Sequence, residues 1–165
     1  MATSTANLSI SAAARRLAGS EDQARQVEAE WWERGIALLP VGPAWDAVKL
    51  PDSLVRRVAA GDHPEPVRAV LAEFGVTGPV FLERDTYYVL VPPGTAARWD
   101  AGAECITTTE SKSHYMGIPS PAQDDATWSH WVIRPDADAL CSPAAVRALI
   151  QAHAELGTVE EAADQ

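Results

Sequence analysis

The chain has 165 residues, 47% of them apolar and 22% charged, with a formal charge of −10 from 13 basic and 23 acidic side chains. That is one domain's worth of chain with enough apolar content for a core, and no apolar run approaches the length of a membrane span. The acid excess repels polyphosphate backbones at long range, and the arginines are scattered apart from Arg15-Arg16 and Arg56-Arg57, so composition counts against a DNA- or RNA-binding surface.

Residues 8–18 (LSISAAARRLA) are expected to form a short Ala-rich helix stopped by Gly19. Ser20 with Gln23 three positions on is a capping box. It opens a second helix, with Ala24, Val27 and Trp31 on one face and Gly35 at its end. Buried strands are predicted at 36–41 and 45–50, separated by a Gly42-Pro43 turn. Pro51-Asp52-Ser53 starts a helical stretch through Ala60, and Gly61 breaks it. A further helix over 64–74 carries Val67, Val70, Leu71 and Phe74 as its apolar stripe.

Residues 80–83 and 86–91 read as a β-hairpin closed by Arg84-Asp85, and Pro92-Pro93-Gly94 stops its second strand. A helical turn over 96–99 and strands at 104–108, 115–118 and 128–134 follow. Ser142-Pro143 caps a terminal helix expected to run to about Leu156, with Val146, Leu149, Ile150, His153 and Leu156 on one side. Residues 157–165 are acidic and expected to fray. The order predicts a single α+β domain: one mostly antiparallel sheet with helices packed on a face. Its boundaries are an N-terminal arm at 1–19, the domain at 20–156 and the tail at 157–165.

Met1 to Asn7 is small and polar, without the basic region and apolar stretch of a secretion signal, so the cytoplasm is the expected compartment. Cys105 and Cys141 are isolated, neither in a CxxC pair, and are expected to be buried hydrophobes rather than metal ligands. There is no P-loop, GxGxxG, GxSxG or HExxH motif. The histidines His63, His114, His130 and His153 are dispersed; His63 sits in a Gly-Asp-His-Pro turn. The stretch Glu110-Ser111-Lys112-Ser113-His114-Tyr115 is either a hydrophilic turn or a set of hydroxyl, amine and imidazole groups able to hold a phosphate or carboxylate. Six tryptophans offer flat faces for stacking at Trp31-Trp32 and Trp128 to Trp131, or packing for the core.

From Ser20 onward these segments, in this order, resemble the N-terminal domain of bifunctional DNA primase–polymerases, the Prim-Pol branch of archaeo-eukaryotic primases. The likeness rests on Trp31-Trp32 followed by the glycine-bounded strand from Gly35 to Gly42, and on Tyr87-Tyr88 leading to Pro92-Pro93-Gly94. It continues through Tyr115 to Ser120, Trp131 to Pro135, and the helix opened by Ser142-Pro143. In that family two aspartates one residue apart end the second strand and hold divalent metal ions that neutralise triphosphate and align the attacking hydroxyl.

Counting from Trp45 puts Lys49 and Pro51 at those two positions. Exchanging a ligand carboxylate for an ammonium about 4 Å from a divalent ion costs on the order of several kcal/mol even at an effective dielectric near 20. The family's histidine falls on Thr86 and its third acid on Thr107-Thr108-Thr109.

The resemblance therefore implies a non-catalytic relative without metal or cofactor. It would act as a binding or regulatory module for a protein partner or a nucleotide, with Lys49, Arg84, Tyr88, Lys112 and His114 as ligand contacts. An active primase or polymerase would need magnesium or manganese held by Asp46, Asp52 or Glu110. A third reading is an interaction subunit of a homo- or hetero-oligomer, for which the acidic surface and exposed tryptophans speak. No membrane partner is expected.

Overall fold

The hairpin predicted at 80–91 is the middle of the sheet. In the computed structural model, which describes residues 10–59, 64–124, 127–135 and 139–163, the strands are β1 (Ile36–Pro40), β2 (Asp46–Pro51), β3 (Val80–Glu83), β4 (Thr86–Val91), β5 (Glu104–Ile106), β6 (Tyr115–Pro119) and β7 (Ser129–Ile133). The helices are α1 (Ala12–Leu17), α2 (Glu21–Arg34), α3 (Asp52–Ala59), α4 (Pro64–Glu73) and α5 (Pro143–Ala163), with a 3-10 turn at Thr95–Arg98. Five strands pair in the order β5-β2-β4-β3-β7, every pair antiparallel. β1 and β6 form a separate antiparallel ribbon, with Ile36 opposite Pro119 and Pro40 opposite Tyr115.

The two-residue side-chain period divides the large sheet into two faces. On one, Val48, Leu50, Tyr87, Val89 and Val91 pack with Leu54, Val55, Val67, Leu71, Val146 and Leu149 of α3, α4 and α5. On the other, Ala47, Phe81, Leu90 and Trp131 meet Leu17, Val27 and Trp31 of α1 and α2, and Leu39 and Ile118 of the ribbon. Each fully buried aliphatic or aromatic side chain here contributes roughly 1.5–3 kcal/mol.

Three buried indoles fasten this second layer. Trp31 Nε1 donates to the Ile118 carbonyl at 3.0 Å, Trp45 Nε1 to that of Leu17 at 2.9 Å, and Trp131 Nε1 to that of Pro119 at 2.6 Å. Core packing, one of the two uses foreseen for the tryptophans, holds for these three, while Trp32 and Trp128 are exposed.

The α+β class and the antiparallel sheet agree with the expectation; several local features differ. Helices cover both faces of the sheet rather than one, and the ribbon is a second sheet. The first helix is shorter than 8–18, because Ser11 caps it by accepting the Ala14 N–H, and Ala18 rather than Gly19 ends it. The strand predicted over 104–108 stops at Ile106, beyond which the Thr108 N–H turns to the Val41 carbonyl.

The terminal helix does not stop at Leu156 but continues to Ala163. Gly157 lacks the positive φ of a helix-ending glycine, and the residues after it (Thr158 to Ala163) include good helix formers. Leu156, expected on the apolar side, is exposed, and His153 is half-buried. The amino-terminal arm before Ile10, the Gly61 break with the His63 turn, and the last two residues of the expected tail lie outside the described residues.

Two substitutions test this arrangement. Trp45→Phe strands the buried Leu17 carbonyl and is expected to cost about 1–3 kcal/mol, with lost ring volume adding to it, read from urea unfolding at unchanged slope. An added Cβ at Gly157 meets nothing within 4 Å. Gly157→Ala is therefore expected to stabilise the protein by about 0.5–1 kcal/mol, and a neutral or negative effect would mean the helix ends before it.

Candidate functional site on the open sheet face

The second sheet layer covers Ala47 and Leu90 but leaves the next rungs open. Lys49 is exposed on β2, opposite Tyr88 of β4 on one side and Glu104 of β5 on the other. β5 begins at Glu104, opposite Lys49, so β2 has no neighbour on that side at Pro51, and a residue without an N–H is tolerated there. The same parity puts Phe81 and Glu83 of β3 on this face, beside Tyr88 and Thr86. Tyr88 stacks on Phe81 with ring centroids 5.0 Å apart, and Phe81 meets Trp131 edge-on at 5.3 Å.

Charges along this strip are balanced. Partial burial pushes the Glu83 carboxyl above its ordinary value, opposed by the charges of Arg84 and then Lys49. Burial also raises the Tyr88 phenol, helped by the charges of Glu83, Asp85 and Glu104. Arg84 occupies the hairpin tip with φ 56°, and its N–H donates to the Trp128 carbonyl at 2.7 Å. Its guanidinium lies 5.3 Å from the centroid of the Trp128 ring, which is 53% exposed. Lys49 and Arg84 thus stand among Glu83, Asp85 and Glu104.

Lys49, Tyr88 and Arg84 therefore come to one region. Lys112 and His114 do not join them. Lys112 closes a turn by its N–H to the Thr109 carbonyl, and the His114 carbonyl accepts the Val41 N–H, at the far side of β2 from Lys49. Residues 110–114 form a loop and Tyr115 begins β6. Thr108, one of the threonines at the resembled family's third acid, holds that loop: its Oγ1 accepts the His114 N–H at 3.0 Å.

Of the acids considered for a metal, Asp46 and Asp52 each have one carboxylate oxygen engaged by another group and the other buried without a partner. Asp46 is fully buried on the opposite face of β2 from Lys49, and its Oδ2 accepts the Ala96 N–H at 2.9 Å. Asp52 pairs with Arg56 at 2.6 Å one turn on in α3. Glu110 is exposed in the far loop. Among the described residues no group of three or more His, Cys, Asp or Glu side chains is gathered to hold a metal ion. An ammonium and an imino acid at positions 49 and 51 do not fit a divalent cation. His130, buried in β7, sits with Nδ1 3.0 Å from the Thr127 carbonyl, a structural contact.

Sequence reasoning missed Glu83 and Glu104. Both are visible only once the register fixes which strands flank Lys49; parity along 80–83 was the available signal for Glu83.

The cysteines give a pH test. Cys141 is buried as expected while Cys105 is only partly buried. Desolvation, with the charge of Asp46 adding at Cys105, pushes both thiols from about 9 up to about 12, and at Cys141 a backbone hydrogen bond from Gly78 opposes it. A folded value above the unfolded one means this stabilisation is complete below about pH 9 and lost as pH rises through about 12. Alkylation by iodoacetamide near pH 9 is expected to be at least about tenfold slower for the native protein than for the unfolded chain. Comparison with protein-family models, curated proteins and solved structures returned no match.

Proposed function

We propose that this chain is a non-catalytic domain of primase–polymerase-like build that serves as a binding module for a protein partner. The observation that carries the reading is the employment of Asp46 and Asp52. One carboxylate satisfies the N–H of Ala96 in the 3-10 turn from inside the core, and the other is held by Arg56. Bringing Asp46 to Lys49 would break a buried hydrogen bond, costly to leave half-made, and bringing Asp52 there would break its ion pair with the half-exposed Arg56.

The open strip supports binding to protein rather than to polyphosphate. Lys49 and Arg84 are matched by Glu83, Asp85 and Glu104, so the face has no cationic excess for a triphosphate. A half-exposed tryptophan under an arginine, on the same sheet region as a tyrosine stacked on Phe81, has the composition of a protein-contact centre.

Incubation with single-stranded template, nucleoside triphosphates and either magnesium or manganese is expected to give no extended product. In parallel, affinity capture with the wild type and with an Arg84→Ala/Trp128→Ala variant is expected to recover a partner that only the wild type retains. Template-dependent extension, or a captured partner indifferent to both substitutions, overturns the reading.

A further inference from the structure

The strongest unassigned feature is a groove away from the Lys49 strip, between the end of α2, the β6–β7 loop and the end of β7. Two adjoining cavities of about 760 and 650 Å³ meet there, sharing Pro121, Gln123 and Arg134. We propose that this groove binds a small ligand that combines a planar ring with a phosphate group, of mononucleotide size. The proposal rests on the reading of the domain as a binding module and adds a second, separate ligand to it.

The floor is built from the corner where α2 becomes β1. Gly35, at φ 75°, presents its carbonyl to two donors, the Ser120 N–H at 2.8 Å and Gln123 Nε2 at 3.2 Å. The positive φ favours glycine here, and a Cβ would lie 2.2 Å from Gln123 Nε2 and push that side-chain amide off the carbonyl. The loop is thereby tied to the helix end, and the floor is formed before any ligand arrives. Such preorganisation lowers the cost of binding.

The walls carry the recognition chemistry. Trp32 stands at the rim, 81% exposed, while its neighbour Trp31 is anchored in the core through Ile118. An indole held so far into solvent at the mouth of a cavity offers a face on which a planar ring stacks. Arg34 and Arg134 line the same cavity, and neither side chain has a hydrogen-bond or ion-pair partner among the described residues. Arg68 lines the adjoining one, its Nε donating to the Val132 carbonyl at 3.2 Å.

Guanidinium groups present paired donors that match phosphate oxygens. Of the acids in the lining, Glu28 already accepts both the N–H and the hydroxyl of Ser11, and Asp124 lines the second cavity together with Arg68 and Arg134. Three arginines against two acids is a local reversal of the chain's −10 balance. The size of each cavity falls within the range of small-molecule sites, and the overall charge disfavours a long polyanion.

Calorimetric titration with each of the four common ribonucleoside triphosphates, with tripolyphosphate and with adenosine tests this. At least one nucleotide is expected to bind, with tripolyphosphate and adenosine each about tenfold or more weaker, because each offers half the contacts. Trp32→Ala and Arg134→Gln are each expected to weaken nucleotide binding by about fivefold or more, with Arg134→Lys partly restoring it, while Lys49→Ala changes nothing. Thermal unfolding of the exposed-residue variants checks that they remain folded.

No binding at millimolar concentration overturns the groove, as does binding unaffected by Trp32→Ala and Arg134→Gln. Loss with Lys49→Ala instead moves the ligand to the sheet face, so that the groove falls and the binding-module reading stands. Groove-dependent binding accompanied by primer extension has the reverse meaning: the groove stands and the non-catalytic reading falls.

Discussion

Three indole N–H groups hold the half of this protein that the sheet cannot hold by itself. β1, β6, α1 and α2 lie across a face of the five-stranded sheet to which no strand ladder connects them. Apolar burial brings the layers together but is non-directional and sets no register between them. Trp45 and Trp131 supply direction between the layers and Trp31 within the second one: each buries a large ring and has one donor that must find an acceptor. Each finds a carbonyl on another element, Ile118, Leu17 and Pro119. Two of these acceptors are neighbours at the end of β6, so that strand is fixed from α2 and from β7 at once.

That fixing has consequences on both sides of the sheet layer. Holding β6 beside β7 sets where the loop after Pro119 begins, and that loop reaches Gly35 and forms the floor of the arginine-lined groove. Covering Ala47 and Leu90 while leaving Lys49 and Tyr88 open defines the strip on the sheet face. A cross-strand neighbour is worth a fraction of a kcal/mol to about 1 kcal/mol, and like charges side by side are unfavourable. Setting Lys49 opposite Glu104, with Glu83 close by, lets a partly covered face carry charge without leaving one sign uncompensated.

Legibility in the sequence followed the range of the physics. The 80–91 hairpin was readable because its two strands and Arg84-Asp85 turn are adjacent in the chain. Ser20 was readable as a cap because its partner, the Gln23 N–H, is three residues away; the reciprocal bond goes from Gly19 N–H to Gln23 Oε1 rather than from Ser20. The end of α5 was not readable, since a glycine followed by helix formers is ambiguous until its φ is known. Lys49 was identified from its place on the strand, but the carboxylates that neutralise it come from β3 and β5, and only the register brings them in. The groove was wholly hidden: Arg34, Arg68 and Arg134 are each solitary in sequence and converge through packing alone.

The contrast between strip and groove also bears on how a strongly acidic chain handles anions. A field of −10 acts at long range, but beyond a Debye length of about 8 Å it is largely screened at physiological salt. What an anion experiences on contact is therefore set by the few charges within reach. At the sheet face that local sum is cancelled by Glu83, Asp85 and Glu104; in the groove it is tipped toward Arg34, Arg68 and Arg134. Net charge read from composition excludes extended polyanions, whose many phosphates sample the whole surface, and says little about one phosphate held by two guanidinium groups. The lysine that stands out in the sequence sits where its charge is spent on neighbours, and Arg34 and Arg134, which do not stand out, are the ones with charge to offer.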